Sequence, residues 1–130
     1  LPFVMTKLIL NPGDLSLIFP DISISNPQRI RILCQVIKYI PNESCLIIDK
    51  IPTVAESSTN KESLVKIDVF DILEDILSIE IINKGTIINI DGYYDGEKIQ
   101  PIDIYEINGI NFTIENIEIL NQLNQMKSLT

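Results

Sequence analysis

From Arg29 to Ile37 the side chains alternate in character. Ile30, Ile32, Cys34 and Val36 fall on one side, and Arg29, Arg31, Leu33, Gln35 and Ile37 on the other. That is the period of a strand with one buried face. Pro41-Asn42-Glu43-Ser44 then supplies turn chemistry, proline with φ preset and asparagine tolerant of unusual backbone. Cys45 to Ile48 is a second apolar run, so the two segments predict a β-hairpin. A lone hairpin is not stable in water, and the remainder of the chain must supply a sheet that closes over it.

Ahead of the hairpin, Leu8-Ile9-Leu10 is closed by the turn signal Asn11-Pro12-Gly13-Asp14, and Leu15 to Phe19 ends at Pro20. This prefix fits a short extra strand pair or an arm over one barrel end. After the hairpin, the polar stretch from Ala55 to Ser63 reads as a loop. Leu64 to Phe70 returns to alternation, with Val65, Ile67 and Val69 on one face, and predicts a third strand. From Asp71 to Glu80 the period changes: Ile72, Leu73, Ile76 and Leu77 share one side of a short helix. Asp71 fits its N-cap, with Glu74 completing a capping box. Asn83-Lys84-Gly85 stops it.

Thr86 to Tyr94 predicts a fourth strand with Ile88, Ile90, Gly92 and Tyr94 on one face. A glycine inside a strand marks a bend or bulge. Asp95-Gly96 signals a hairpin turn into a strand around Ile99–Ile107, interrupted by Pro101. In the tail, Ile114, Ile117, Leu120, Leu123 and Met126 recur every three residues. That pattern reads as a helix, although Phe112–Ile119 also fits a last barrel strand.

Three strands, a helix, two more strands and a terminal helix is the order of a single OB-fold. This is a five-stranded Greek-key barrel with a helix between strands 3 and 4, followed here by a C-terminal helix. An SH3-like barrel lacks the helix, and an α/β sheet needs more helices than the strand gaps allow. The expected division is residues 1–28 as an N-terminal extension packing on the barrel and 29–130 as the OB-fold domain. Met5 reads as a natural start, with Leu1 to Val4 a remnant ahead of it.

The 130 residues, 45% hydrophobic and 22% charged, suit one compact domain. The skew toward isoleucine reflects an AT-rich genome more than chemistry. Net charge is −8, all of it in the second half: residues 1–70 carry seven basic and seven acidic side chains, residues 71–130 three and eleven. Such a chain gains nothing from general attraction to phosphates. No apolar run reaches the roughly 20 residues of a membrane-spanning helix. Cys34 and Cys45 lie out of register across the hairpin, which argues against a disulfide and for buried, reduced thiols in an intracellular compartment.

Histidine is absent, which removes the commonest general base and metal ligand. Asp68 with Asp71, and Glu74 with Asp75, read as a solvated strand edge and a helix start. There is no Walker loop, dinucleotide fingerprint, zinc pattern or calcium loop, so neither an enzyme nor a cofactor is expected. A binding role remains. In OB-folds the open face holds single strands by aromatic stacking and basic side chains. The candidates here are Arg29, Arg31, Lys66 and Lys98, with Tyr93 and Tyr94 as stacking platforms, weighed against a solvated face with half-buried tyrosines. The tail stripe, flanked by Asn and Gln, fits a protein–protein interface or ordinary core packing equally well.

Arg29-Ile30-Arg31-Ile32-Leu33-Cys34-Gln35-Val36, Lys84-Gly85-Thr86-Ile87-Ile88-Asn89-Ile90-Asp91-Gly92 and the terminal helix resemble the smallest subunit of the telomere-capping CST complex of yeasts. That subunit is itself similar to the RPA small subunit. The likeness spans about Arg29 to Lys127. It implies a nuclear, non-enzymatic protein at chromosome ends, paired as a heterodimer with a larger OB-fold subunit. Contact with that partner would run through Ile114, Ile117, Leu120, Leu123 and Met126, and contact with single-stranded DNA would be weak and made through the complex. An RPA-like small subunit, or a stand-alone single-strand-binding OB domain, is the alternative.

Overall fold

A computed structural model of the chain describes residues 5–55, 64–76, 82–107 and 113–119. The organising element is β2 (Gln28–Ile40), thirteen residues long. Ile30, Ile32, Cys34 and Val36 are fully buried on its inner face, as the alternation requires. Pro41–Glu43 forms a single 3-10 turn, and Ser44 takes the left-handed conformation that reverses the chain. The chain then returns as β3 (Cys45–Asp49), antiparallel to the second half of β2 with a bulge between Val36 and Lys38. β4 (Val65–Asp68) pairs with β3.

On its other edge β2 pairs with β5 (Ile87–Tyr94) from Gln28 to Gln35, and β5 pairs with β6 (Ile99–Glu106). The order β4-β3-β2-β5-β6 is that of a curled antiparallel sheet, and the predicted OB-fold is the observed architecture. β4 and β6 approach one another at the seam, but no ladder joins them among the described residues.

Gly92 is the bulge position. The register shifts between Asp91 and Gly92, where Ile102 is the extra residue on β6. A Cβ at Gly92 would lie 2.3 Å from the Gln100 carbonyl oxygen, so only glycine lets the strands approach. At the β5–β6 turn, Asp95 Oδ1 accepts hydrogen bonds from the backbone N–H groups of Glu97 (2.9 Å) and Lys98 (2.8 Å). Those bonds hold its carboxyl below the usual carboxylate range, and Gly96 takes a φ of +97°.

The prefix is part of the sheet. β1 (Lys7–Ile9) runs parallel to β2 beside Ile30–Ile32. Beyond the Pro12–Asp14 turn the chain is helical rather than extended: α1 (Leu15–Ile18) drives Leu15 into the core. Between β4 and β5, Phe70–Ile72 is a 3-10 turn leading into α2 (Leu73–Ile76). The start differs from the expected one, with Val69 at the N-cap and no side-chain cap bond. Asp68 Oδ1 accepts from the Phe70 N–H at 2.9 Å, so the turn starts before Asp71. Gly85 ends the connection at φ +91°; residues 77–81, to which the predicted helix extended, lie outside the described ones.

Residues 114–119 form α3, which decides between helix and strand for this stretch. Thr113 caps it: its Oγ1 accepts from Asn116 N–H at 3.2 Å and its carbonyl from Ile117 N–H at 3.0 Å. Ile117, 2% exposed, packs with Leu10, Leu33, Ile51 and Val54 in a second core on the outer face of the sheet. Ile114 stays 62% exposed.

Three stability outcomes follow from this packing. Gly92→Ala should cost about 2 kcal/mol or more, because backbone must move to admit the methyl group. Ile117→Ala should cost roughly 2–4 kcal/mol by chemical denaturation, as truncation of a buried isoleucine does. Ile114→Ala should stay within about 0.5 kcal/mol of the parent, as exposed positions do.

Candidate functional site

The six residues expected to meet nucleic acid fall in two different places. Arg29, Arg31 and Tyr93 share the outer face of β2 and β5, because Arg29 pairs with Tyr93 and Arg31 with Asp91 in the ladder. The Arg29 guanidinium lies over the Tyr93 ring, 5.4 Å from its centroid, within cation–π range. Its Nη1 also donates to the Tyr93 hydroxyl at 3.3 Å. Arg31 donates from Nη2 to the Tyr105 hydroxyl at 2.7 Å and from Nε to Asn89 Oδ1, with Asp91 Oδ1 at 3.9 Å.

Lys66 and Lys98 lie elsewhere. They line a groove of about 400 Å³ along the seam, walled by β4, the β5–β6 turn and the Pro12–Ser16 segment of the prefix. Lys66 donates to Glu43 and forms an ion pair with it, a bond that holds its ammonium above the ordinary range. Lys98 faces Asp68 and Asp71 across an adjoining cleft.

Tyr94 lines the same groove as Lys66 and Lys98, but almost all of it is buried beneath. It is 5% exposed in the core, with its hydroxyl donating to the Gly96 carbonyl at 2.9 Å and the Phe19 ring 6.5 Å away. Burial raises its phenol pKa. With 5% of the residue exposed at the groove, little of the ring is open for the expected stacking on a base. Ile117 is likewise spent on the chain's own core. Of the expected partner contacts, Ile114 alone is both described and exposed; Leu120, Leu123 and Met126 lie outside the described residues.

Both cysteines are free and buried, as the register predicted, and burial drives the Cys34 thiol far above its usual pKa. Among the described residues no three His, Cys, Asp or Glu side chains gather to hold a metal. Sequence reasoning missed Asn89 and Tyr105, both partners of Arg31. The strand alternation did place Asn89 opposite the core face, but a residue's neighbour on the next strand follows from register, which periodicity does not fix.

Comparison with solved structures finds the same architecture. "Crystal structure of yeast Stn1 and Ten1" aligns at a TM-score of 0.59 and 13% identity, covering 95% of this chain and 91% of that one. "Crystal structure of S. pombe Stn1-ten1 complex" aligns at 0.57 and 21% identity, covering 95% and 92%. No curated protein sequence matches. The family model described as "Telomere capping, CST complex subunit" matches residues 5–121, so the match takes in the prefix that the sequence resemblance left out. By that match, running through the prefix, the barrel and α3, the chain belongs to the Ten1 family of telomere-capping CST-complex subunits.

Proposed function

We propose that the chain is the small, non-enzymatic subunit of a telomere end-protection complex in the nucleus, and that it forms a heterodimer with a larger Stn1-type OB-fold subunit. The observation that carries this reading is the family match over residues 5–121. The solved structures it resembles are of Stn1 and Ten1. Ile114, exposed on α3 while Ile117 anchors the same helix to the barrel, begins the apolar stripe that continues in sequence through Leu120, Leu123 and Met126. A helix fixed by one residue and apolar on its free edge suits the helix-in-groove mode of docking.

Single-stranded DNA contact is assigned to the Lys66–Lys98 groove and is weak. Two lysines in a chain of net charge −8, one of them already paired with Glu43, release few counterions. The complex, more than this subunit, supplies affinity.

Co-expression with a Stn1-type subunit should give a heterodimer of one chain each by light scattering. Leu123→Glu in this chain should abolish it while leaving the barrel folded. A chain that stays monomeric beside that partner, yet binds a single-stranded oligonucleotide tightly and with steep salt dependence, would replace this reading with an independent single-strand-binding domain.

A further inference from the structure

We propose that the outer face of β2, β5 and β6 is a protein-docking surface, one that receives a partner's lysine or arginine at Asp91 and Asp103. The inference rests on the heterodimer proposed above and gives it a second, polar contact away from the free edge of α3.

Asp91 and Asp103 are direct cross-strand partners in the β5–β6 ladder. Residues so paired point to the same face, and like charges there repel. The core does not require them: the buried pair beside them is Ile90 and Ile104. Arg31 is the one cation that pairs with either aspartate among the described residues, and it reaches Asp91 only at 3.9 Å. The same guanidinium also serves the Tyr105 hydroxyl and Asn89 Oδ1. One positive charge thus answers two negative ones, and the row keeps an excess negative charge. A local rule broken with no return to the fold marks a site selected for something else.

The amide beside this row carries the same message. Asn89 is fully buried, and its Nδ2 has no hydrogen-bond acceptor among the described residues. Buried donors are normally satisfied. This one lies on the face of Asp91, two residues away along β5, held there by Arg31.

The surroundings suit a protein more than a nucleic acid. The bulge turns out Ile102, which is 46% exposed, and Tyr105 is 38% exposed beside it. Tyr93 with the stacked Arg29 completes the face. Tyrosine and arginine around an apolar residue are the composition of interface centres. Arg29 is stacked on Tyr93 and Arg31 is shared with Asp91, Asn89 and Tyr105, so phosphates would meet two carboxylates beside two engaged guanidiniums, whereas a basic protein surface is drawn to a chain of net charge −8.

The test uses this chain and a co-purified Stn1-type partner. Asp103→Asn and the double variant Asp91→Lys/Asp103→Lys are compared with the parent by calorimetric titration at low and high salt, alongside thermal melts of the free chain. Asp103→Asn should raise the melting temperature of the free chain by relieving repulsion, yet weaken partner binding about fivefold, a loss that corresponds to roughly 1 kcal/mol. The double variant should weaken binding about a hundredfold and flatten its salt dependence. Unchanged affinity in both variants overturns the docking face. So does a lower melting temperature for Asp103→Asn, because the carboxylate would then be serving the fold. So does a double variant that gains oligonucleotide binding while keeping its partner. If Leu123→Glu abolishes the heterodimer and the aspartate variants do not weaken it, this face alone falls. If the parent chain binds no partner, the pairing and the face fall together.

Discussion

β2 is hydrogen-bonded along both edges, and the rest of the molecule depends on that constraint. β5 holds one edge from Gln28 to Gln35; on the other, β1 covers Ile30–Ile32 and β3 covers Gln35–Ile40. The sheet curls around this strand, and residues of β1, β3, β4, β5, β6 and the prefix pack over its inner face. Ile30, Ile32 and Val36, all at 0% exposure, each contribute about 1.5–3 kcal/mol relative to a solvated side chain. The outer face is then divided by what covers it. Leu33 lies under Ile117 and the loop at Ile51–Val54, while Arg29 and Arg31 look out beside Tyr93 and Asp91. The division between apolar and polar outer surface is thus fixed by where the terminal helix docks.

The prefix makes the open seam tolerable. β4 and β6 do not share a ladder among the described residues, and a barrel left so would expose its core at that side. Ile9 and Leu15 enter the main core, and Phe19 and Ile22 pack against it. The Ile22 carbonyl oxygen sits so close to Gly96 that a Cβ there would lie 2.5 Å away. The prefix therefore presses on the β5–β6 turn, the same turn whose Asp95 bonds fix Lys98 at the groove. Removing the prefix would open the core and loosen the groove together.

Much of this was legible in the sequence, and the failures have physical reasons. Period-two alternation located β2, β4 and β5, while an apolar run after a turn located β3 and the Asp95-Gly96 turn signal located β6; Gly92 was identifiable as a bulge because a glycine inside a strand marks one. Tyr94 was misassigned against that same alternation: it shares the phase of Ile88 and Ile90, which places it inside. Ile117 was misassigned because a three-residue stripe treats all its members alike, whereas a helix of 3.6 residues per turn rotates them, burying one and exposing another. The helical α1 followed from the Pro12–Asp14 turn, whose residues are common to strand and helix connections. The next turn began at Phe70, ahead of Asp71, because the strand ended earlier than its apolar run. The register of β5 against β2 and β6 lay beyond reach, and with it the Asp91–Asp103 pair and the Arg31–Asn89–Tyr105 contacts.

The acidic second half takes its meaning from the fold. Spread over a solvated surface, eleven carboxylates would serve solubility alone. The ladder instead sets two of them opposite each other next to a bulge, with a guanidinium already shared among several partners. Meanwhile α3 keeps Ile114 exposed, and a flat apolar edge can hold a partner helix in more than one register. Charge complementarity contributes more to orientation and association rate than to bulk affinity, which is what such an edge lacks. An apolar helix for strength and a polar sheet face for register, on adjacent sides of one barrel, would together select a single arrangement of two OB-folds.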